Sequence, residues 1–89
     1  MEQIWATVTV RNPEGWHARP ATEFARIVGE FGLQVTIGRP GDTAVRGDSV
    51  LSLMTLGARQ GEQLLVSVNY EGTDAAAAHQ FIDAIGELF

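Results

Sequence analysis

The apolar residues of this chain switch repeatedly between a period of two and a period near 3.6, and that switching constrains the fold more than any other feature. Ile4, Ala6, Val8 and Val10 alternate with Trp5, Thr7 and Thr9, the pattern of a half-buried strand. Asn12-Pro13-Glu14-Gly15 reads as a turn. From Ala18 the period lengthens. Ala21, Phe24, Ala25, Val28 and Phe31 share one helical face, predicting a helix from Ala18 to Glu30, with Pro20 in its first turn and Gly29 and Gly32 marking its exit.

Leu33, Val35 and Ile37 restore the period of two. The turn Gly38–Asp42 and a short strand over Thr43–Arg46 complete a hairpin. A short helix over Ser49–Leu56 follows, with Ser49 as its N-cap and Leu53 and Leu56 as its buried face. After the loop Gly57–Gly61, Leu64, Val66 and Val68 form a fourth strand. Glu71-Gly72 turns the chain, and Thr73 or Asp74 caps a last helix whose stripe is Ala78, Phe81, Ile82, Ile85 and Leu88. The order is β-α-β-β-α-β-α. Each element has one apolar side, so the economical architecture is α+β in two layers, a four-stranded antiparallel sheet with helices on one face. With 89 residues, residues 1–89 are expected to form a single domain.

Composition removes several classes of function. The chain has no cysteine, so disulfides and thiolate zinc sites are excluded. Its net charge is −5, and all six basic residues are arginines, which argues against nucleic acid as a partner. No apolar run approaches the length of a membrane span. The N-terminal residues lack a basic region followed by an apolar stretch, so no secretory signal is expected and the cytoplasm is the expected location. His79 has no acidic or histidine neighbour that would make it a metal ligand, and no metal or cofactor is expected. Arg46-Gly47-Asp48 matches the adhesion tripeptide by chance, and Gly57 and Gly61 flank a polar loop. There is no Walker loop or dinucleotide fingerprint.

Chemistry is concentrated in Gly15-Trp16-His17-Ala18-Arg19-Pro20-Ala21. His17 stands where a turn becomes a helix. The first N–H groups of a helix lack intrahelical partners and, with the helix dipole, favour an anion. Arg19 adds a permanently charged, forked donor in the first turn. Imidazole is the side chain best suited to act as a nucleophile near neutral pH. The segment therefore places a nucleophile beside a phosphate-stabilising site. The competing reading, a surface or capping histidine, is the commoner role for a lone histidine in this setting.

This segment resembles the phosphorylation-site signature of the HPr family, the histidine-containing phosphocarriers of the phosphotransferase system. Asp48-Ser49-Val50-Leu51-Ser52-Leu53-Met54-Thr55-Leu56-Gly57, followed by Gln60-Gly61, resembles the family's second signature, around its regulatory serine. The order of elements and the length agree as well. The resemblance implies an open-faced sandwich with three helices on one face. It implies that His17 is the phosphoacceptor, through Nδ1, and that Arg19 stabilises the phosphate. It places Trp16, Ala18, Val50, Leu51 and Met54 on a partner-docking surface, and Ser49 at a site of regulatory phosphorylation. The implied partners are enzyme I and the IIA domains of sugar permeases, with a serine kinase/phosphatase and a transcription regulator in the regulatory branch. The implied protein is a monomeric, stoichiometric carrier and not an enzyme. The alternative is a regulatory interaction module of the same fold, in a serine-phosphorylation, nitrogen-related or dihydroxyacetone-kinase branch. A small phosphatase would need a second acid or base close to His17.

Three positions depart from the family pattern. Trp16 stands where Leu or Ile is usual, and a ring there is expected to lie half exposed beside the site. Glu14 replaces Ser, Thr or Asn, and a carboxylate near a phosphate is expected to shorten the life of the phosphorylated form. Gly29 replaces a residue that is often basic.

Overall fold

The computed structural model describes residues 2–89. Its strands are β1 (Glu2–Thr9), β2 (Gln34–Gly38), β3 (Val45–Arg46) and β4 (Gln63–Tyr70), and its helices are α1 (Ala18–Phe31), α2 (Val50–Met54) and α3 (Ala75–Ile85). The sheet order is β1-β4-β2-β3, and every neighbouring pair is antiparallel. The expected open-faced α+β sandwich is the observed one.

Register explains why the sheet has one greasy face. Ile4 lies opposite Val68 and Val8 opposite Leu64, while Val35 and Ile37 lie opposite Val68 and Val66 from the other side of β4. These residues all project to one face, because side chains alternate along a strand. The helices cover that face. α1 buries Pro20, Ala21, Phe24, Ile27 and Val28, and α3 buries Ala78, Phe81 and Ile85. Phe24 meets Phe81 edge to face at 5.8 Å, a geometry that adds about 0.5–1.5 kcal/mol beyond the area buried. The other face stays open, and Trp5 on it is 60% exposed.

Several element ends differ from expectation. Gly29 lies inside α1, which closes at Gly32, a left-handed residue (φ 66°) whose N–H donates to the Val28 oxygen. β3 shortens to Val45–Arg46. α2 stops at Met54 because the chain tightens there: the N–H groups of Thr55 and Leu56 donate to oxygens three residues back, those of Ser52 and Leu53. Neither Thr73 nor Asp74 caps the last helix through a side chain; a 3₁₀ turn over Gly72–Asp74 leads into it. Among the described residues, no helix is long and apolar enough to cross a membrane.

Candidate functional site

The site is built on the loop between β1 and α1. The Glu14 N–H donates to Asn12 Oδ1 at 3.0 Å, and the Gly15 N–H donates to the Asn12 main-chain oxygen at 2.8 Å, closing a tight turn. Gly15 has φ 74°, and a Cβ on it would come within 2.7 Å of the Ala58 oxygen. Only glycine fits that backbone and that approach. The next N–H, that of Trp16, donates to the same Ala58 oxygen at 2.8 Å, so the loop is sewn to the segment that follows α2.

Trp16 corrects the expectation of a half-exposed ring at the docking surface. It is 6% exposed and belongs to the core. Its ring stacks on Phe89 at 5.1 Å and meets Phe24 edge to face at 5.9 Å. Its Nε1–H donates to the Leu53 oxygen at 3.1 Å. Burial costs this indole no lost hydrogen bond, because the last carbonyls of α2 need donors.

His17 occupies the N-cap of α1 with extended backbone (φ −125°), and its main-chain oxygen accepts from the Ala21 N–H at 3.2 Å. Its side chain makes no capping bond. The imidazole is therefore not consumed in holding the helix start. Its Nε2 lies 3.2 Å from Asn12 Nδ2 and 3.7 Å from Glu14 Oε2. Among the described residues Nδ1 has no hydrogen-bond partner. The ring is 35% exposed, so an incoming group can reach it. Asn12 has no place in the sequence reading beyond its turn, and only the fold shows its amide against the ring.

Arg19 is exposed in the first turn and forms no salt bridge to a described carboxylate. Its neighbour Glu23 is held by Arg26 at 2.8 Å. That hydrogen bond is the main reason the Glu23 carboxyl lies below its usual range, and the charge of Arg19 adds the least. The guanidinium is thus available for an anion beside the free N–H groups of the helix start. His17 and Arg19 line an open depression of about 970 Å³, together with Asn12, Glu14, Glu23 and Glu87.

α2 packs against α1 and is tied to the residue before His17 through Trp16. Leu53 and Leu56 are buried, whereas Val50, Leu51 and Met54 are 38%, 83% and 41% exposed, and Ala18 is exposed as well. The structure therefore leaves these four free of the core and removes Trp16 from their company. Ser49 caps α2, its Oγ accepting from the Ser52 N–H at 3.2 Å. Asp48 beside it is paired to Arg46, whose hydrogen bond holds the carboxyl below its usual range. His79 is exposed on α3, and no cluster suited to a metal occurs among the described residues.

Comparison with known proteins gives the family. The family model described as "PTS HPr component phosphorylation site" matches residues 4–89. The phosphocarrier protein HPr of Streptomyces coelicolor is 39% identical over 69 residues, covering 78% of this chain and 74% of that protein. The phosphocarrier protein HPr of Pseudomonas putida is 34% identical over 82 residues, covering 92% and 90%. Among solved structures, HPr from Thermoanaerobacter tengcongensis superposes with a TM-score of 0.74 at 30% identity, covering 100% of this chain and 96% of that one. Fold and sequence converge, and the chain belongs to the HPr family.

Proposed function

We propose that the protein is a phosphocarrier that accepts a phosphoryl group on Nδ1 of His17 from phospho-enzyme I and passes it to the IIA domains of sugar permeases. The observation that carries this reading is an imidazole with an unpartnered Nδ1 at the start of α1, next to an uncommitted arginine. In the forward step the Nδ1 lone pair attacks phosphorus, the bond to the donor nitrogen breaks, and the electron pair leaves with the donor. Such transfers need positioning and charge stabilisation more than covalent help. The first N–H groups of α1 and the Arg19 guanidinium supply both. The protein is regenerated only by the acceptor, so it is a stoichiometric intermediate of one domain, acting in the cytoplasm where phosphoenolpyruvate is available.

Ala18, Val50, Leu51 and Met54 form the surface that donor and acceptor use in turn. An exposed apolar cluster of this kind favours protein partners. One shared surface is required because each partner must bring its own reacting atom to the same nitrogen.

The decisive experiment is incubation with phosphoenolpyruvate and enzyme I, followed by intact-mass measurement. The protein should gain one acid-labile phosphoryl group, and His17→Ala should gain none. Equal labelling of the variant would remove His17 from the reaction.

A further inference from the structure

We infer that Asn12 and Glu14 set which nitrogen of the His17 ring holds the proton, and so how fast Nδ1 attacks phosphorus. This rests on the phosphocarrier reading and adds two positioning residues to it.

The Asn12 amide cannot turn freely. Its Oδ1 accepts the Glu14 N–H at 3.0 Å, which only the oxygen end can do. Nδ2 is thereby pointed at His17 Nε2, 3.2 Å away. An amide nitrogen only donates, so this contact favours a bare Nε2 and a proton on Nδ1. That is the unreactive tautomer, because a protonated Nδ1 has no lone pair for phosphorus. Attack requires the proton on Nε2.

Glu14 favours that second tautomer. Its Oε2 is 3.7 Å from Nε2 and is the only carboxylate oxygen paired with this ring among the described residues. The gap exceeds hydrogen-bond length, so the carboxylate acts on the ring through its charge across 3.7 Å. The same oxygen stabilises the product. Once the Nδ1–P bond forms, the ring is cationic with its proton still on Nε2, and a carboxylate on that side opposes its charge. One backbone turn thus holds two opposed groups on the same nitrogen: Asn12 against the reactive form and Glu14 for it. The carboxylate faces the nitrogen opposite the one that takes the phosphate, so it does not act chiefly by repelling phosphate.

Ring ¹⁵N chemical shifts report the tautomer directly, and phosphoramidate serves as a donor that needs no docking surface. In that reaction the Nδ1–P bond forms, the P–N bond breaks and ammonia leaves with its electron pair. Asn12→Asp keeps an oxygen for the Glu14 N–H and turns the group facing Nε2 from donor to acceptor. It should raise the Nε2–H population and speed phosphorylation. Glu14→Ala should lower that population and slow phosphorylation about two- to fivefold, the range of an exposed ion pair. Both measurements are made where imidazoles are neutral. Nitrogen shifts that ignore both substitutions would overturn the inference, as would shifted tautomers with unchanged rates. A wild-type protein that phosphoramidate never phosphorylates would instead count against the phosphocarrier reading, and the nitrogen shifts would still judge Asn12 and Glu14.

Discussion

The indole N–H of Trp16 donates to the main-chain oxygen of Leu53 at 3.1 Å, joining the residue before His17 to the end of α2. The bond is buried, and the ring is held on its other sides by Phe89 and Phe24. The end of α2 and the start of α1 therefore form one packed unit.

Trp16→Phe keeps most of the stacking and removes the indole donor from the Leu53 oxygen, which keeps the Leu56 N–H at 3.2 Å. It should cost about 0.5–1.5 kcal/mol of stability, the net value of one lost hydrogen bond, read by denaturant unfolding. Trp16→Ala should cost about 3–5 kcal/mol. Fluorescence gives an internal check: the protein has two tryptophans, Trp5 exposed and Trp16 buried. Iodide should quench the Trp5 emission and spare that of Trp16. Full quenching of both would place the Trp16 ring at the surface after all.

Arg19→Ala should leave the unfolding curve in place, since the side chain is exposed and outside any salt bridge in the described structure. Its effect should fall on transfer. A charge-assisted hydrogen bond is worth roughly 1.5–3 kcal/mol where it is made, or about ten- to hundredfold in rate if felt fully in the transition state. Rapid-quench measurement of phosphorylation by enzyme I checks this. Unchanged rates would mean that the backbone N–H groups suffice.

Glu62 ties the Gly38–Asp42 turn to the approach to β4. It accepts from Arg39 Nε at 2.9 Å and Nη2 at 3.1 Å, and from the Arg59 N–H. The Arg39 hydrogen bond above all, then the Arg59 N–H, lowers the Glu62 carboxyl from 4.5 to about 2. A depressed carboxyl stabilises the fold above its unfolded value, and that stabilisation is lost as pH falls through the folded one. The protein should therefore lose the Glu62 contribution between about pH 4.5 and 2. Glu62→Gln should be less stable than wild type at neutral pH and show a shallower decline over that window. Parallel acid-unfolding profiles would show that the pair contributes nothing.

Legibility in the sequence followed the range of the interaction. β4 was readable because Leu64, Val66 and Val68 alternate without interruption and all three are fully buried. α1 was readable because its stripe and Pro20 agree on one helical phase. The positions of His17 and Arg19 at the start of α1 were readable because the signals of a helix start are local. Trp16 was misread because nothing periodic surrounds it: its burial depends on Leu53 and on Phe89 at the far end of the chain. Gly29 was misread because its low helix propensity is a weak local penalty, overridden by the packing of Val28 before it and Phe31 after it. The Asn12 contact was invisible for a different reason. Turn composition names residues that bend the chain and says nothing of where an amide points afterwards.

Ser49 carries the last prediction. Its hydroxyl oxygen caps α2, and Val50, Leu51 and Met54 are exposed in the helix it starts. Ser49→Ala should cost about 1 kcal/mol, the usual value of a lost cap, seen as a lower unfolding midpoint. Ser49→Asp should restore that stability, because a carboxylate caps as well as a hydroxyl. The two variants should then diverge in function. Ser49→Ala leaves the proposed docking surface neutral, and its phosphorylation by enzyme I should match wild type. Ser49→Asp sets a charge beside apolar side chains that a partner must desolvate, and burying an unpaired charge is costly. Phosphorylation should slow with an unchanged circular dichroism spectrum, and a phosphate on Ser49, with roughly −1.5 to −2 charge, should slow it further. A stable Ser49→Asp that accepts phosphate at the wild-type rate would leave Ser49 as a cap alone.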